Sequence, residues 1–222
     1  MAARRIVFPL MACLLTAGSL CAAPRDVRVA GVTDCACTVV WTTAAPEAGC
    51  VRYGRESGDL PLVAYDVRGR DFVGMTHCVV ITGLTPTTTY RLVACSESAS
   101  SSEMCCTTGP VLSIPLPDQI YGQVVRADGR SPEGALVTII LRDANGTGTP
   151  GDSQPLVCLV SDSGWWTVNI GSIRTADGTA YFSYAAAGDR VCLSADAGDA
   201  AGFSEFDTAH DTPAPPVVLT VK

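Results

Sequence analysis

Cysteines are the most numerous chemically reactive side chains in this 222-residue chain, which contains eleven of them. Thiols of exported proteins pair as disulfides, whereas zinc sites use closely spaced cysteine pairs. The chain has no Cys-x-x-Cys, and neither Cys35-Ala-Cys37 nor Cys105-Cys106 has a common zinc spacing. We therefore expect disulfides and no metal site. The cysteines that follow the N-terminal apolar segment number nine: Cys35, Cys37, Cys50, Cys78, Cys95, Cys105, Cys106, Cys158 and Cys192.

This odd number leaves at least one thiol free or linked to another molecule, so a disulfide-linked oligomer is one expectation. Cys50 opens a predicted strand and Cys95 ends its predicted antiparallel neighbour. We predict that these two pair on their shared outer face, with Cys105 or Cys106 as rival partners for Cys95. Cys158 and Cys192 are the only cysteines of the second half, and we expect them to pair if their strands are neighbours.

Two adjacent tryptophans, Trp165 and Trp166, give the candidate binding residue. In a strand they must point to opposite faces. Trp166 shares its face with Val168 and Ile170, whereas Trp165 shares its face with polar residues such as Thr167. The pattern therefore predicts that Trp165 is the exposed ring, which could stack on a sugar or anchor a protein partner. The interpretation that we favour is that a neighbouring loop or the other domain covers it.

Catalysis is not indicated. The chain has two histidines, His77 at the start of a predicted strand and His210 in an Asp-rich loop. A Gly-x-Ser-x-Gly elbow, a His-Glu-x-x-His helix and a phosphate-binding loop are absent from the sequence. We expect no enzyme activity and no cofactor. His77 acting with a nearby aspartate and serine is the remaining catalytic alternative.

One segment, Asp143-Ala-Asn145-Gly146-Thr-Gly148, has some features of a calcium loop. It lacks the further closely spaced carboxylates that a hard cation requires. We interpret it as a polar turn.

Composition narrows the possible partners. Hydrophobic residues make up 47% of the chain, charged residues 17%, and the net charge is -7. This is too apolar for a disordered chain and too acidic for a general phosphate binder. Nucleic acid is therefore not an expected partner.

The N-terminus has the pattern of a secretory signal peptide over residues 1–23. Arg4 and Arg5 precede an apolar run from Ile6 to about Leu20, and small residues follow. An uncleaved anchor and a lipoprotein are alternatives, but Pro9 and the length of the run disfavour a spanning helix. Leu20 before Cys21 disfavours lipidation. We expect a mature chain without a membrane span that is secreted, periplasmic or at the cell surface.

The elements that must position these residues are predicted to be strands throughout. Runs rich in Val, Ile, Thr and Tyr alternate with turn residues, and helical periodicity is nearly absent. The prolines of Pro115-Leu-Pro117-Asp118 interrupt the series and mark a domain boundary. The predicted strands cover residues 26–32, 37–43, 50–54, 77–84, 89–96 and 110–114 before it, and 120–126, 135–142, 156–161, 165–170, 190–195 and 217–221 after it.

Residues 26–117 resemble a fibronectin type III domain, an immunoglobulin-like β-sandwich. The resemblance rests on Thr38-Val-Val-Trp41, on Val51-Arg-Tyr53-Gly54 and on Leu84-x-Pro86-x-x-x-Tyr90-x-Leu92. It implies a buried Trp41 and a tyrosine corner, in which the hydroxyl of Tyr90 bonds a nearby backbone group. The region is also similar to the sandwich that precedes the catalytic domain of purple acid phosphatases, but nothing resembling their metal-binding domain follows.

Residues 119–222 resemble transthyretin-like modules related to the regulatory domain of carboxypeptidases. The motifs are Ile120-Tyr-Gly-Gln-Val124, Gly134-Ala-Leu-Val-Thr-Ile-Ile140 and Ser163-Gly-Trp-Trp-Thr-Val168. Together the two resemblances imply an all-β chain of two tandem Greek-key β-sandwich domains after a signal segment.

We therefore expect an exported, non-catalytic interaction or adhesion protein, whose partner is an extracellular or envelope protein or a glycan. The alternatives are a carbohydrate-binding accessory protein and a structural envelope component.

Overall fold

The structure is a computed structural model that describes residues 23–97 and 99–222. The predicted signal peptide lies outside the described residues except for Ala23. The described chain forms a six-stranded and a seven-stranded assembly, and its helices there are 3-10 turns at Ile170–Ser172 and Thr208–His210. The predicted all-β class with two tandem sandwiches is confirmed. Within these ranges no helix is long and apolar enough to cross a membrane.

The first sandwich is built around one long strand that belongs to both of its layers. The N-terminal part of β2 pairs with β1 and β4, and its C-terminal part pairs with β3 and β5. The pairing with β4 breaks between Thr42 and Glu47, where Pro46 cannot donate to a ladder. The strands are β1 (Arg25–Ala30), β2 (Ala36–Gly54), β3 (Leu62–Tyr65), β4 (Val73–Thr82), β5 (Thr89–Ser96) and β6 (Met104–Thr107).

Trp41 lies in the core between these layers, as the sequence predicts. Its side chain is fully buried, and its ring stacks on His77 with 4.6 Å between ring centroids. The other buried members of this core are Cys37, Val39, Val51, Val79, Ile81, Leu84, Tyr90, Leu92, Ala94 and Cys106. Alternation along β2, β4 and β5 supplies most of them, because successive side chains of a strand point to opposite faces.

Tyr90 forms the predicted tyrosine corner. It is buried, and the Thr85 backbone N–H donates to its hydroxyl at 3.0 Å. This contact satisfies a phenol that would otherwise be buried without a partner. It fixes the turn that carries the chain from β4 to β5.

The second sandwich has the strand order β10-β7-β13-β12-β11-β8-β9, in which β13 pairs with β7 in parallel and the other pairs are antiparallel. Its core includes Trp166, Ile120 and Ile139. The strands are β7 (Gln119–Arg126), β8 (Leu136–Arg142), β9 (Leu156–Leu159), β10 (Trp165–Asn169), β11 (Arg190–Asp196), β12 (Ala200–Asp207) and β13 (Val217–Val221).

The strands differ from the sequence prediction in several places, and the strands predicted over residues 37–43 and 50–54 are one continuous strand, β2. β3 and β12 are additional strands. The last strand of the first sandwich is Met104–Thr107, so the prediction of a strand over residues 110–114 is wrong. That segment instead contacts the second sandwich, where Arg174 Nη1 donates to the Pro110 carbonyl at 3.0 Å and the Tyr181 hydroxyl donates to the Ser113 carbonyl at 2.7 Å.

The two sandwiches meet along a junction that is partly apolar. Val40 and Cys78, on the outer face of the first sandwich, pack with Leu136 of the second. Thr76 Oγ1 donates to the Gly134 carbonyl at 2.7 Å beside this cluster. The junction therefore combines burial with directional contacts, which favours one relative arrangement of the two sandwiches.

Candidate binding face

Trp165 lies on the outer face of β10, and its neighbour Trp166 fills the core. β10 pairs with β7 so that Trp165 is opposite Gln123 and Trp166 is opposite Gly122. Trp166 is 2% exposed and Trp165 is 41% exposed, which is the assignment that alternation predicts. A Cβ at Gly122 would lie 2.9 Å from the Trp166 ring, so the missing side chain makes room for the buried tryptophan. The favoured interpretation of the sequence, that a neighbouring loop or the other domain covers Trp165, is therefore wrong for the described residues.

A second aromatic ring accompanies Trp165. Tyr121 of β7 is opposite Thr167 and points to the same outer face, where it is 40% exposed. The Tyr121 and Trp165 ring centroids are 6.0 Å apart, with an angle of 46° between the planes. We call Tyr121, Gln123, Trp165 and Thr167 the aromatic face. The alternation of Ile120-Tyr-Gly-Gln-Val124 already places Tyr121 outward, but its contact with Trp165 depends on the strand register.

The backbone around Trp165 is held by a tight turn. The Trp165 N–H donates to Ser161 Oγ at 3.1 Å, and the Ser161 N–H donates to the Trp165 carbonyl at 2.8 Å. Gly164 has a φ of 81°, a conformation that glycine adopts without the strain of a side chain. The indole is thus carried by a paired strand and not by a long loop.

The chemistry of this face is apolar and neutral. A surface cavity of about 420 Å³ adjoins it, and none of its six described lining residues is charged. Thr167 Oγ1 contributes a hydroxyl that donates to the Ile120 carbonyl at 3.2 Å. The rings offer flat apolar area with hydroxyl and amide groups alongside, which suits the C–H face and hydroxyls of a sugar ring. The lining residues are Tyr121, Leu159, Ser161, Trp165, Trp166 and Thr167.

Exposed apolar side chains continue from the aromatic face across the same run of strands. Val125 of β7, Val218 of β13 and Phe203 of β12 are all exposed, and Phe203 is 66% exposed. Val125 and Val218 are register partners. The outer side of β10-β7-β13-β12 is therefore richer in apolar area than a solvated sheet face requires.

Cys50 and Cys95 are directly opposite each other in the β2–β5 pair. Both are half-buried, and they border a cavity of about 220 Å³ together with Tyr65 and Arg70. Burial, followed by the nearby Cys95, raises the pKa of Cys50. Every cysteine of the described residues is a free thiol here, so the Cys50–Cys95 disulfide stays a prediction whose strand positions are favourable.

The rival partners for Cys95 are remote. Cys105 is opposite Arg91 and Cys106 is opposite Tyr90 in the β5–β6 pair. Arg91 lies four residues before Cys95 along β5, a separation of roughly 13 Å at the usual rise per residue. A disulfide requires Cα atoms within about 7 Å.

The condition attached to a Cys158–Cys192 pair is not met. β8 lies between β9, which carries Cys158, and β11, which carries Cys192. Cys158 is opposite the core residue Val137, whereas Cys192 is opposite Ile140, on the other face of the sheet. Two thiols on opposite faces of non-adjacent strands cannot form a disulfide unless the strands rearrange. The prediction that Cys158 pairs with Cys192 is therefore wrong for this structure. Sequence periodicity did not reveal that β8 separates the two strands.

His77 is a buried structural residue. Its imidazole is fully buried against Trp41, with Nδ1 3.9 Å from Asp66 Oδ2. Burial lowers the pKa of His77 to about 4, against the smaller opposing effect of Asp66. Asp66 in turn accepts hydrogen bonds from Arg68 Nε at 2.8 Å and from the Cys78 N–H at 2.8 Å. A ring sealed in this way cannot reach a substrate.

The remaining candidate sites are local structure. Asp143 Oδ1 accepts the N–H groups of Asn145 at 3.2 Å and Gly146 at 2.7 Å, which is the polar turn that we expected. His210 is exposed at the end of a 3-10 turn. Within residues 23–97 and 99–222, no three His, Cys, Asp or Glu side chains are grouped so that they could hold a metal ion.

Comparisons with known proteins give no family assignment. No family model matches the chain, and no curated protein sequence matches it. Among solved structures, the FN1-FN3 domains of chicken CNTN1 match with 13% identity and a TM-score of 0.29, covering 90% of this chain and 67% of that one. Titin-A168169 matches with 13% identity and a TM-score of 0.20, covering 89% of this chain and 96% of that one. Values this low carry no inference about function, and the sandwich assignment rests on the strand pairing and the tyrosine corner.

Proposed function

We propose that this protein is an exported, non-catalytic binding protein that holds a carbohydrate on its aromatic face. The observation that carries the proposal is the side-by-side exposure of Trp165 and Tyr121 on a rigid strand pair, with ring centroids 6.0 Å apart. Rigid aromatic side chains supply large contact area at low entropic cost. Hydroxyl and amide groups at Thr167 and Gln123 complete a surface suited to sugars.

The non-catalytic part of the proposal is supported by the environment of His77. That imidazole is sealed in the first core and stacks on Trp41. The proposed location outside the cytoplasm follows from the signal pattern of residues 1–23 and from the cysteine content. The transthyretin-like resemblance of residues 119–222 belongs to the same proposal, because it describes the module that bears the aromatic face.

A protein partner is the second candidate, and a different observation favours it. The apolar surface extends beyond the two rings to Val125, Val218 and Phe203. A sugar would need only the aromatic face, whereas a protein interface would cover the whole outer side of these strands, in line with the larger area that protein interfaces bury. Dependence of binding on Phe203 therefore distinguishes the two candidates.

The test is a glycan array followed by calorimetric titration of the best glycan with three proteins: the wild type, Trp165→Ala and Phe203→Ala. We expect Trp165→Ala to weaken glycan binding at least about tenfold, a loss of about 1.4 kcal/mol of binding free energy, because buried aromatic rings are the residues most often found to dominate binding. Phe203→Ala removes a still more exposed ring, 66% against 41% for Trp165, from a different strand and should bind like the wild type. Both variants should keep the wild-type melting temperature, since both rings are exposed.

Two outcomes would contradict the carbohydrate proposal. One is a wild type that binds no glycan on the array. The other is equal glycan affinity for the wild type and Trp165→Ala. If Phe203→Ala and Trp165→Ala both reduce binding to an extracellular protein, the second candidate is favoured.

A further inference from the structure

Two cysteines that the sequence did not single out as a pair face each other inside the first core. Cys37 lies in the layer β1–β2–β4, opposite Ile81, and Cys106 lies in the other layer, opposite Tyr90. They are 1% and 4% exposed and belong to one cluster of buried side chains. The two cysteines therefore sit on the inner faces of the two opposed layers.

The two side chains are buried in the same core cluster. The nearby Cys106 thiol and burial together raise the pKa of Cys37. Two buried cysteines on the facing inner sides of two layers have the placement of an inter-sheet disulfide, in which the Cβ atoms lie about 3.8 Å apart.

The neighbouring cysteines are excluded by exposure. Cys35 and Cys105 each lie within two residues of the pair, but both are exposed. Cys105 alternates to the outer face of β6, where Arg91 Nη1 approaches its sulfur at 2.7 Å. Of these four cysteines, only Cys37 and Cys106 are buried in the core, so burial selects one of the four possible pairings between the two segments.

We propose that Cys37 and Cys106 are a modification site, at which an inter-sheet disulfide joins the two layers of the first sandwich. Two S–H bonds break and one S–S bond forms, and two electrons and two protons pass to an exchangeable disulfide, which is reduced to two thiols. A protonated, buried thiol reacts poorly, so the bond forms while the core is still open during folding. Once formed, it is shielded from reductants.

In the cell, the disulfide requires the oxidising compartment that the proposed export supplies, and it is independent of the ligand of the aromatic face.

The test uses the purified full chain, denatured and reduced, and then refolded with glutathione and glutathione disulfide. Remaining thiols are alkylated before digestion with a glutamyl endoprotease. Cleavage after Glu47, Glu97 and Glu103 separates Cys50 from Cys37 and Cys95 from Cys106. Mass spectrometry then identifies the linked peptides.

The matched control is the double variant Cys35→Ser/Cys105→Ser; with trypsin added to the digest, cleavage after Arg28 removes Cys13 and Cys21, so that Cys37 and Cys106 are the only cysteines of their peptides. We expect the link between these two peptides to persist in this variant. We also expect it to resist dithiothreitol in the folded protein and to be reduced at once in guanidinium. The proposal is overturned if Cys37 and Cys106 are recovered alkylated, or if the link disappears in the double variant. Because refolding is done in vitro, neither result depends on whether the protein is exported or binds a glycan.

Discussion

His77 shows how a single buried residue can make the stability of the first sandwich depend on pH. Burial lowers the pKa of this imidazole from 6.5 to about 4, and Asp66, Arg68 and Glu47 are the charged groups that act on it. Between pH 6.5 and pH 4 the unfolded chain carries a proton on this ring that the folded chain lacks. Stability therefore falls as the pH falls through this interval, by roughly 3 kcal/mol in total.

We predict that His77→Phe loses most of this pH dependence, because a phenyl ring can keep the stack on Trp41 without titrating. The measurement is urea denaturation of the wild type and His77→Phe between pH 7.5 and pH 4.5. The free energy of unfolding of the wild type should decline over that range, and that of the variant should remain nearly level. Parallel declines in the two proteins would assign the effect to carboxylates elsewhere.

At the scale of strands, the pairing of β7 with β10 couples the core to the aromatic face. Gly122 lies directly opposite Trp166, and an added Cβ would meet the indole at 2.9 Å and the Cβ of Ala214 at 3.1 Å. Displacing Trp166 would also move Trp165, since the two are adjacent in β10. We predict that Gly122→Ala lowers the free energy of unfolding by about 1–3 kcal/mol through overpacking.

The matched control for Gly122→Ala is Gln123→Ala, one residue away and directed outward. Urea denaturation should place this control within about 0.5 kcal/mol of the wild type. Replacing glycine by alanine also restricts the unfolded chain, which favours folding by about 0.4–1 kcal/mol. If Gly122→Ala were as stable as the wild type or more so, the core around Trp166 would have room for the added methyl group, and the overpacking argument would be wrong.

Strand alternation was enough to predict some positions and not others. It assigned Trp41 and Trp166 to the cores and Trp165 to the surface, because these residues sit in runs with a clear period of two. β12 was missed, since its sequence contains alanine, glycine and acidic residues and it exists through seven register pairs with β11. Residues 110–114 look like a strand but contact Arg174 and Tyr181, which no local pattern shows. The proximity of Tyr121 to Trp165 likewise required the register.

At the scale of the whole molecule, Arg174 connects the two sandwiches and the segment between them. Its guanidinium is buried; Nη1 donates to the carbonyls of Pro110 at 3.0 Å and Gly178 at 3.1 Å, and Nη2 lies 3.4 Å from Asp34 Oδ1. Asp34 belongs to the turn between β1 and β2. One side chain of the second sandwich thus binds the first sandwich, the connecting segment and its own loop.

We predict that Arg174→Met uncouples the unfolding of the two sandwiches. Methionine keeps much of the aliphatic volume but leaves two carbonyls and one carboxylate without their donor. Because these are hydrogen bonds from a charged group, we expect the free energy of unfolding to fall by about 2–3 kcal/mol. Wild-type protein should unfold in one calorimetric transition, because the junction of Val40, Cys78 and Leu136 and the Arg174 contacts break together. The variant should show two transitions, or one that begins at a lower temperature.

Arg142→Met is the control, since Arg142 pairs with Asp152 at an exposed site where such a pair contributes little to stability. A single unchanged transition in Arg174→Met would mean that the apolar junction alone holds the sandwiches together.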